Sequence, residues 1–249
     1  MGDETLVRPK PLIEIGGHPM LWHIMNAYAS FGFDEFVLAL GYRGDMIKDY
    51  FLNFQARNSD LTVDLAGGTV EFRERRHPGW KVHLIDTGDR TQTGGRLLRL
   101  RDLLGGERFM LTYGDGLSDV NVPALLDFHH KSGVVATLTA VRPPARYGNL
   151  VIGGGGYVDS FVEKPQTDAG WISGGFFVFE PAIFDVIDGD QTALEREPLE
   201  RLTARRDLAA FPHEGFWQAM DTLRERRLLE ELWASGRAPW KVWNDLAAV

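Results

Sequence analysis

The sequence has no cysteine among its 249 residues. Disulfides, thiolate metal sites and a cysteine nucleophile are therefore excluded. Long apolar runs are missing too: none approaches the roughly 20 residues that a membrane span requires. The amino-terminal stretch MGDETLVRPKP has no apolar core of the secretory kind, so a cytoplasmic protein without a membrane partner is expected. Positive charge is short as well. The formal net charge is −8, whereas nucleic-acid-binding chains usually present a basic face, so no nucleic-acid partner is expected. Any phosphate site must then be a local cluster of Lys and Arg. Internal repeats, low-complexity runs and a clear linker are also absent from the pattern, which points to one domain.

What is present is a set of short apolar runs closed by glycine turns. The stretch RFMLTYGDG, Arg108 to Gly116, reads as a buried strand ending in a tight turn. Asp115 sits where that strand leaves the sheet, the place where open α/β sheets bind ligands. It either caps the turn or holds a divalent cation, with Gly114 and Gly116 leaving room for a phosphate. Phe36 to Tyr42, FVLALGY, reads as a central parallel strand buried on both faces. A helix is expected from Pro19, with Met20, Ile24, Ala27 and Tyr28 on one face. Its histidines, His18 and His23, have no metal-ligand spacing and read as packing or surface residues.

Pro9 and Pro11 bias Arg8 and Lys10 toward extended backbone, which leaves Lys10 in a stiff exposed loop. TGGR, Thr93 to Arg96, is a glycine-rich loop opening the helix RLLRLRDLL. Such a loop points N–H groups at ligands, but it is also an ordinary helix start. Val134 to Val141 is a further strand, and the strand–helix alternation up to it supports a right-handed parallel core. Beyond it the pattern changes to strands joined by tight turns, read as a substrate-binding layer added to that core. Within it, Trp171 to Pro181 is a strand with a glycine pair, a mark of close approach by a ligand or another backbone. Thr222 and Glu225 make a capping box for the helix after GFWQAMDT, which offers Asp221 a structural place near a helix dipole.

These pieces stand in a fixed order: RPKP, DTG with TGGR, YGDG, RYGN, FVEKP, ISGGFFVFEP, GFWQAMDT. The order and wording resemble the sugar-1-phosphate nucleotidyltransferases over about Glu4 to Trp243, with TGGR, GFWQAMDT and APWK closest to the cytidylyl branch. The resemblance implies a Rossmann-like α/β fold with a mostly parallel central sheet flanked by helices and a smaller sugar-binding β layer. It implies a single domain over 1–249, with a nucleotide-binding core at 1–141, a sugar-binding part at 142–222 and a carboxy-terminal helix and tail at 223–249. It implies CTP and glucose 1-phosphate as substrates, CDP-glucose and pyrophosphate as products, Mg²⁺ as cofactor and a homo-oligomer; a related transferase with another nucleotide or sugar is the alternative.

The same resemblance assigns residues. Asp115 and Asp221 match the carboxylates that hold Mg²⁺. Lys10 matches a lysine that contacts nucleotide phosphates and shares the catalytic role with Asp115. Thr93, Gly94, Gly95 and Arg96 match the nucleotide loop, with Arg96 donating to cytosine. Gly148, Glu163, Lys164, Ser173 and Gly175 match the sugar-phosphate site. Ser173 stands where the family has Asn, and Ala219 stands where it has Pro. The family also begins with a strand of the type AVILAGG and a G-x-G-T-R phosphate loop, which this sequence does not carry. A chain without them is expected to fold poorly and turn over weakly, either because its reading frame starts further upstream or because it has become a nucleotide-sugar-binding protein.

Overall fold

The structure is a computed structural model in which residues 8–72, 78–143, 149–152, 157–162 and 170–244 are described. Pro9 and Pro11 set a 3₁₀ turn at Lys10–Leu12. Strands β1 (Glu14–Ile15) and β2 (His18–Pro19) follow as a hairpin, then helix α1 (Met20–Ala29), strand β3 (Glu35–Leu40), and helices α2 (Gly44–Leu52) and α3 (Phe54–Arg57). A second hairpin, β4 (Leu61–Asp64) and β5 (Thr69–Phe72), precedes β6 (Lys81–Asp86). Next come α4 (Thr93–Leu98), α5 (Arg101–Leu104), β7 (Phe109–Thr112), β8 (Gly116–Ser118), α6 (Val122–Ser132) and β9 (Ala136–Val141). The rest holds β10 (Asn149–Ile152), β11 (Val158–Val162), β12 (Ile172–Phe179), a 3₁₀ turn at Pro181–Val186, α7 (Glu197–Arg205), β13 (Leu208–His213), β14 (Trp217–Ala219) and α8 (Leu223–Ala234).

Local chemistry sets the element ends. Helix α6 starts where the Asn121 side chain accepts from Ala124 N at 2.9 Å, with a proline in its first turn, and stops at Gly133 with φ 62°. The helix expected over RLLRLRDLL is instead two short ones, α4 and α5. Leu97 and Leu100 are both buried, and Leu100 N bonds Leu97 O at 2.9 Å. That i to i+3 bond tightens the turn and breaks the α ladder.

The main sheet has four strands in the order β13–β9–β12–β7; β13 is parallel to β9, and β12 is antiparallel to both of its neighbours. Strands β3 and β6 form a separate parallel pair. Two expectations are corrected here. Trp171 to Pro181, read as part of an added sugar layer, instead places β12 between β7 and β9. Phe176 to Phe179 are all buried, on both faces of the strand, the pattern of a fully covered strand rather than a half-solvated layer. And β3 is not buried throughout: Glu35 and Ala39 are exposed and Phe36 to Leu38 half-buried. The reason is its edge. Among the described residues, β3 pairs only with β6 and β7 only with β12. Between them lies a cavity of about 900 Å³, lined by Phe36, Leu38, Leu97, Met110 and Leu111, with Arg96 and Tyr113 also on its wall.

Three apolar clusters surround these strands. The first joins α1, β8 and α8 through Ile15, Ile24, Leu117, Met220, Leu229 and Trp240. The second lies under β12 and α7, built on Phe177, Phe179, Ile183 and Leu202. The third fills the space between α1, α2 and the β3–β6 pair with Leu21, Met25, Leu40 and Ile47.

The β1–β2 turn is pinned to the first cluster. Gly16 and Gly17 have φ of 59° and 79°, the positive pair that a two-residue hairpin turn demands. A Cβ on Gly16 would lie 2.0 Å from the Trp233 ring, whereas one on Gly17 would meet open space. Gly16→Ala is therefore predicted to cost about 2–5 kcal/mol, from backbone strain plus overpacking, and Gly17→Ala only about 1–2 kcal/mol from strain. Urea unfolding of the two variants checks this; equal losses would refute the Trp233 contact as the cause.

Candidate active site

Strands β8 and β14 pair antiparallel with Gly116 opposite Ala219, and Met220 N donates to Asp115 O at 2.8 Å. That pairing sets Asp115, just before β8, beside Asp221, just after β14, although 105 residues separate them in sequence. The RPKP turn supplies the third member. Lys10 Nζ lies 2.6 Å from Asp221 Oδ1 and 3.4 Å from Asp115 Oδ2. Gly114 lets the proline turn approach, since a Cβ there would be 2.8 Å from Pro11. The Asp221 hydrogen bond leads in holding the Lys10 ammonium above its ordinary lysine range, against the opposing pull of burial. The Lys10 and Asp115 side chains are each 37% exposed, and Asp221 is 50% exposed, so a ligand can reach all three.

Asp221 is steadied from behind. Thr222 caps α8 and Glu225 closes the box, its Oε2 accepting from Asp221 N at 2.7 Å and Thr222 N at 2.8 Å. The capping box and the Lys10-paired Asp221 carboxylate thus coexist: the backbone of Asp221 serves the helix and its side chain faces Lys10.

These residues fit a magnesium-type ion by their chemistry. Two hard carboxylate oxygens converge on one cation, here the Lys10 ammonium, with open solvent beside them. Among the described residues no cluster of three or more His, Asp or Glu offers a complete protein cage. A hard ion that keeps water and takes phosphate oxygens needs no such cage.

TGGR is not a loop ahead of the helix but the first turn of α4, lying beside Leu194. Thr93 Oγ1 donates to Glu195 Oε2 at 2.6 Å and accepts from Leu194 N at 2.9 Å. Both glycines abut backbone: a Cβ on Gly94 would be 2.8 Å from Thr192 O, and one on Gly95 would be 2.4 Å from Asp190 O. Arg96 is partly committed to the fold. Its guanidinium donates to Leu40 O at 3.1 Å, to Thr87 Oγ1 at 2.9 Å and to Asp89 O at 3.4 Å. It thereby ties the carboxyl ends of β3 and β6 together.

Of the sugar-phosphate residues, Gly148, Glu163 and Lys164 lie outside the described residues. Ser173 is exposed on β12, opposite Ala140. Gly175 has φ 77°, and a Cβ there would lie 2.4 Å from the Tyr113 ring. Trp217, of the GFWQ segment, donates to Gly174 O at 2.8 Å. The structure thus brings Lys10, Asp115 and Asp221 together, sets Gly175 against the start of YGDG, and sets TGGR against the 190–195 loop.

Comparison with known proteins decides the family. The nucleotidyl transferase family model matches residues 5–246. The chain belongs to that family. A glucose-1-phosphate cytidylyltransferase of Salmonella typhimurium is 48% identical over 245 residues, covering 98% of this chain and 95% of the relative. A probable glucose-1-phosphate cytidylyltransferase of Bacillus subtilis is 41% identical over 98% of this chain and 95% of its own length. The solved structure of HddC from Yersinia pseudotuberculosis shares the fold, with a TM-score of 0.67 at 20% identity over 91% of this chain and 90% of that one.

Beside the candidate site of this nucleotidyl transferase lie residues to which sequence reasoning assigned no role. Tyr113 and Glu195 hydrogen-bond to each other through the phenol and the carboxylate, and Thr87 holds Arg96. Tyr113 could have been found as the first residue of YGDG. Glu195 stands in ALEREP, which carries no motif. No helix among the described residues is long and apolar enough to cross a membrane.

Proposed function

We propose that this nucleotidyl transferase joins CTP to glucose 1-phosphate, forming CDP-glucose and releasing pyrophosphate. The observation that carries the reading is the convergence of Lys10, Asp115 and Asp221 in a chain 48% identical, over nearly its whole length, to a protein named for that reaction. A phosphate oxygen of the sugar attacks the α-phosphorus of CTP. The new P–O bond forms as the bond from the α-phosphorus to the β-phosphate oxygen breaks, and the pyrophosphate carries the electron pair away. Such transfer needs positioning and charge neutralisation more than a protein nucleophile.

Asp115 and Asp221 would hold Mg²⁺, which, when bound, neutralises phosphate charge. Lys10, already aimed between the carboxylates, turns to the phosphates and supplies a fixed positive charge. Arg96 keeps donors for cytosine beyond the three bonds that anchor it, and backbone near Gly94 or Gly95 supplies the acceptor for the cytosine amino group, so that uracil is penalised for lacking it. Gly148, Glu163, Lys164, Ser173 and Gly175 form the sugar-phosphate side. A cytoplasmic homo-oligomer completes the proposal.

The test is pyrophosphate release by the full chain with glucose 1-phosphate and each of CTP, UTP, dTTP and GTP. Release with CTP well above the others is expected; none with CTP overturns the reading.

A further inference from the structure

Among the described residues, Glu195 has no cationic partner. Its two carboxylate oxygens go instead to two hydroxyls: Oε2 accepts from Thr93 Oγ1 at 2.6 Å, and Oε1 accepts from the Tyr113 phenol. Thr93 begins the TGGR turn of α4. Tyr113 begins the YGDG turn, two residues before Asp115. An exposed carboxylate held by two neutral donors is an unusual use of a charge, since exposed Glu gains as much from water. A negative charge beside a triphosphate site also repels phosphate, which favours the nucleoside end of a substrate on the Thr93 side and leaves the phosphates to Lys10.

We propose that Glu195 is a positioning residue for nucleotidyl transfer, fixing the TGGR turn at Thr93 to the head of the Asp115 turn at Tyr113. The proposal rests on nucleotidyl transfer from CTP as the activity. The rest of the 190–195 segment explains why the tie is specific. That segment is already fastened to TGGR without Glu195: Gln92 N donates to Asp190 O at 2.9 Å, Gly95 N to Thr192 O at 3.1 Å, and Leu194 N to Thr93 Oγ1 at 2.9 Å. Arg99 pairs with Asp190 through Nε–Oδ1 at 2.9 Å and Nη2–Oδ2 at 2.5 Å. The loop therefore keeps its place when Glu195 is shortened. What Glu195 alone adds is the link to Tyr113, whose ring is in turn trapped against Gly175. Through that link the first turn of α4 and the Asp115 turn share one geometry.

The experiment is a double-mutant cycle on the full chain with Glu195→Ala, Tyr113→Phe and both together, read as kcat and as KM for CTP and for glucose 1-phosphate. Misplacement on the ångström scale costs up to about 100-fold; for an exposed tie we expect Glu195→Ala to raise the KM for CTP and lower kcat, each about tenfold. The KM for glucose 1-phosphate and the thermal midpoint should hardly change. Glu195→Gln, which keeps the reach and one acceptor, should recover part of the loss. Tyr113→Phe should cost several-fold in the wild-type background and nothing further beside Glu195→Ala, because contacting residues that act together are not additive.

Equal Tyr113→Phe losses in both backgrounds overturn the proposal. So does a Glu195→Ala chain with wild-type kcat and KM, or one whose activity falls only in proportion to its folded fraction. Calorimetric titration with CTP separates this from the activity itself. If the wild-type chain releases no pyrophosphate, CTP binding about tenfold weaker in Glu195→Ala still supports the tie, and equal affinity overturns it.

Discussion

Asp115→Asn and Asp221→Asn are each expected to lower kcat with CTP and glucose 1-phosphate by about 100- to 1,000-fold, the scale of losing a charge-stabilising group at a transferring phosphoryl centre. Asparagine keeps the size and one acceptor oxygen of aspartate but not its charge, so a hard cation is held less well and phosphate charge is left unneutralised. Stability should move little. Both carboxylates are at least a third exposed and share the Lys10 ammonium, and exposed ion pairs contribute only about 0–1 kcal/mol. The backbone bonds from Asp221 N and Thr222 N to Glu225 survive the change, so α8 keeps its cap. Steady-state kinetics paired with urea unfolding checks the prediction. Wild-type turnover in either variant removes that residue as a ligand, and a stability loss of several kcal/mol would make its role structural.

Local signals marked the two aspartates one at a time, Asp115 as a turn cap or cation ligand and Asp221 as a neighbour of a helix cap, and only the family resemblance joined them as a pair. Each lies in a short segment whose neighbours are constrained by their own jobs: glycines around Asp115, and a capping box after Asp221. Local signals also gave the helix expected from Pro19, found as α1 over Met20–Ala29. What sequence could not supply was long-range. Glu195 meets Thr93 and Tyr113 at sequence separations of 102 and 82, and nothing in ALEREP announces either contact. The TGGR glycines look ligand-facing in sequence, yet their missing side chains are required by the backbone of Asp190 and Thr192. Strand β12 was misassigned for a related reason. Its glycine pair suggested a substrate layer, while its burial on both faces depends on which strands flank it, and those, β7 and β9, both precede the change in sequence pattern that β12 follows. The edges of β3 and β7 that are unpaired among the described residues, and the cavity between them, likewise belong to topology, and no window of either strand reveals them.

The second large effect is on stability in acid and comes from His23, read in sequence only as a packing or surface residue. It is fully buried, and both ring nitrogens are engaged: Nε2 donates to Ile15 O at 2.8 Å, and Nδ1 accepts from Trp240 Nε1 at 3.3 Å. That assignment requires the neutral ring, since a proton on Nδ1 would face the indole N–H. Burial, the leading cause, pushes the imidazole down to about 4. In the unfolded chain it takes a proton near its ordinary 6.5. Between those values the unfolded state binds more protons, so acid favours unfolding. The stabilising share of the neutral ring is complete above about pH 6.5 and is lost progressively down to about pH 4. At 1.36 kcal/mol per pH unit that amounts to about 3 kcal/mol. Burial lowers His18 and His129 as well, so the wild-type chain alone does not isolate the effect. His23→Gln does: its amide can donate to Ile15 O and accept from Trp240 without titrating. Urea unfolding from pH 7 to pH 4.5 is expected to show the wild type losing about 2–3 kcal/mol more than His23→Gln. Parallel losses in the two chains would show that His23 is not the residue that acid protonates on unfolding.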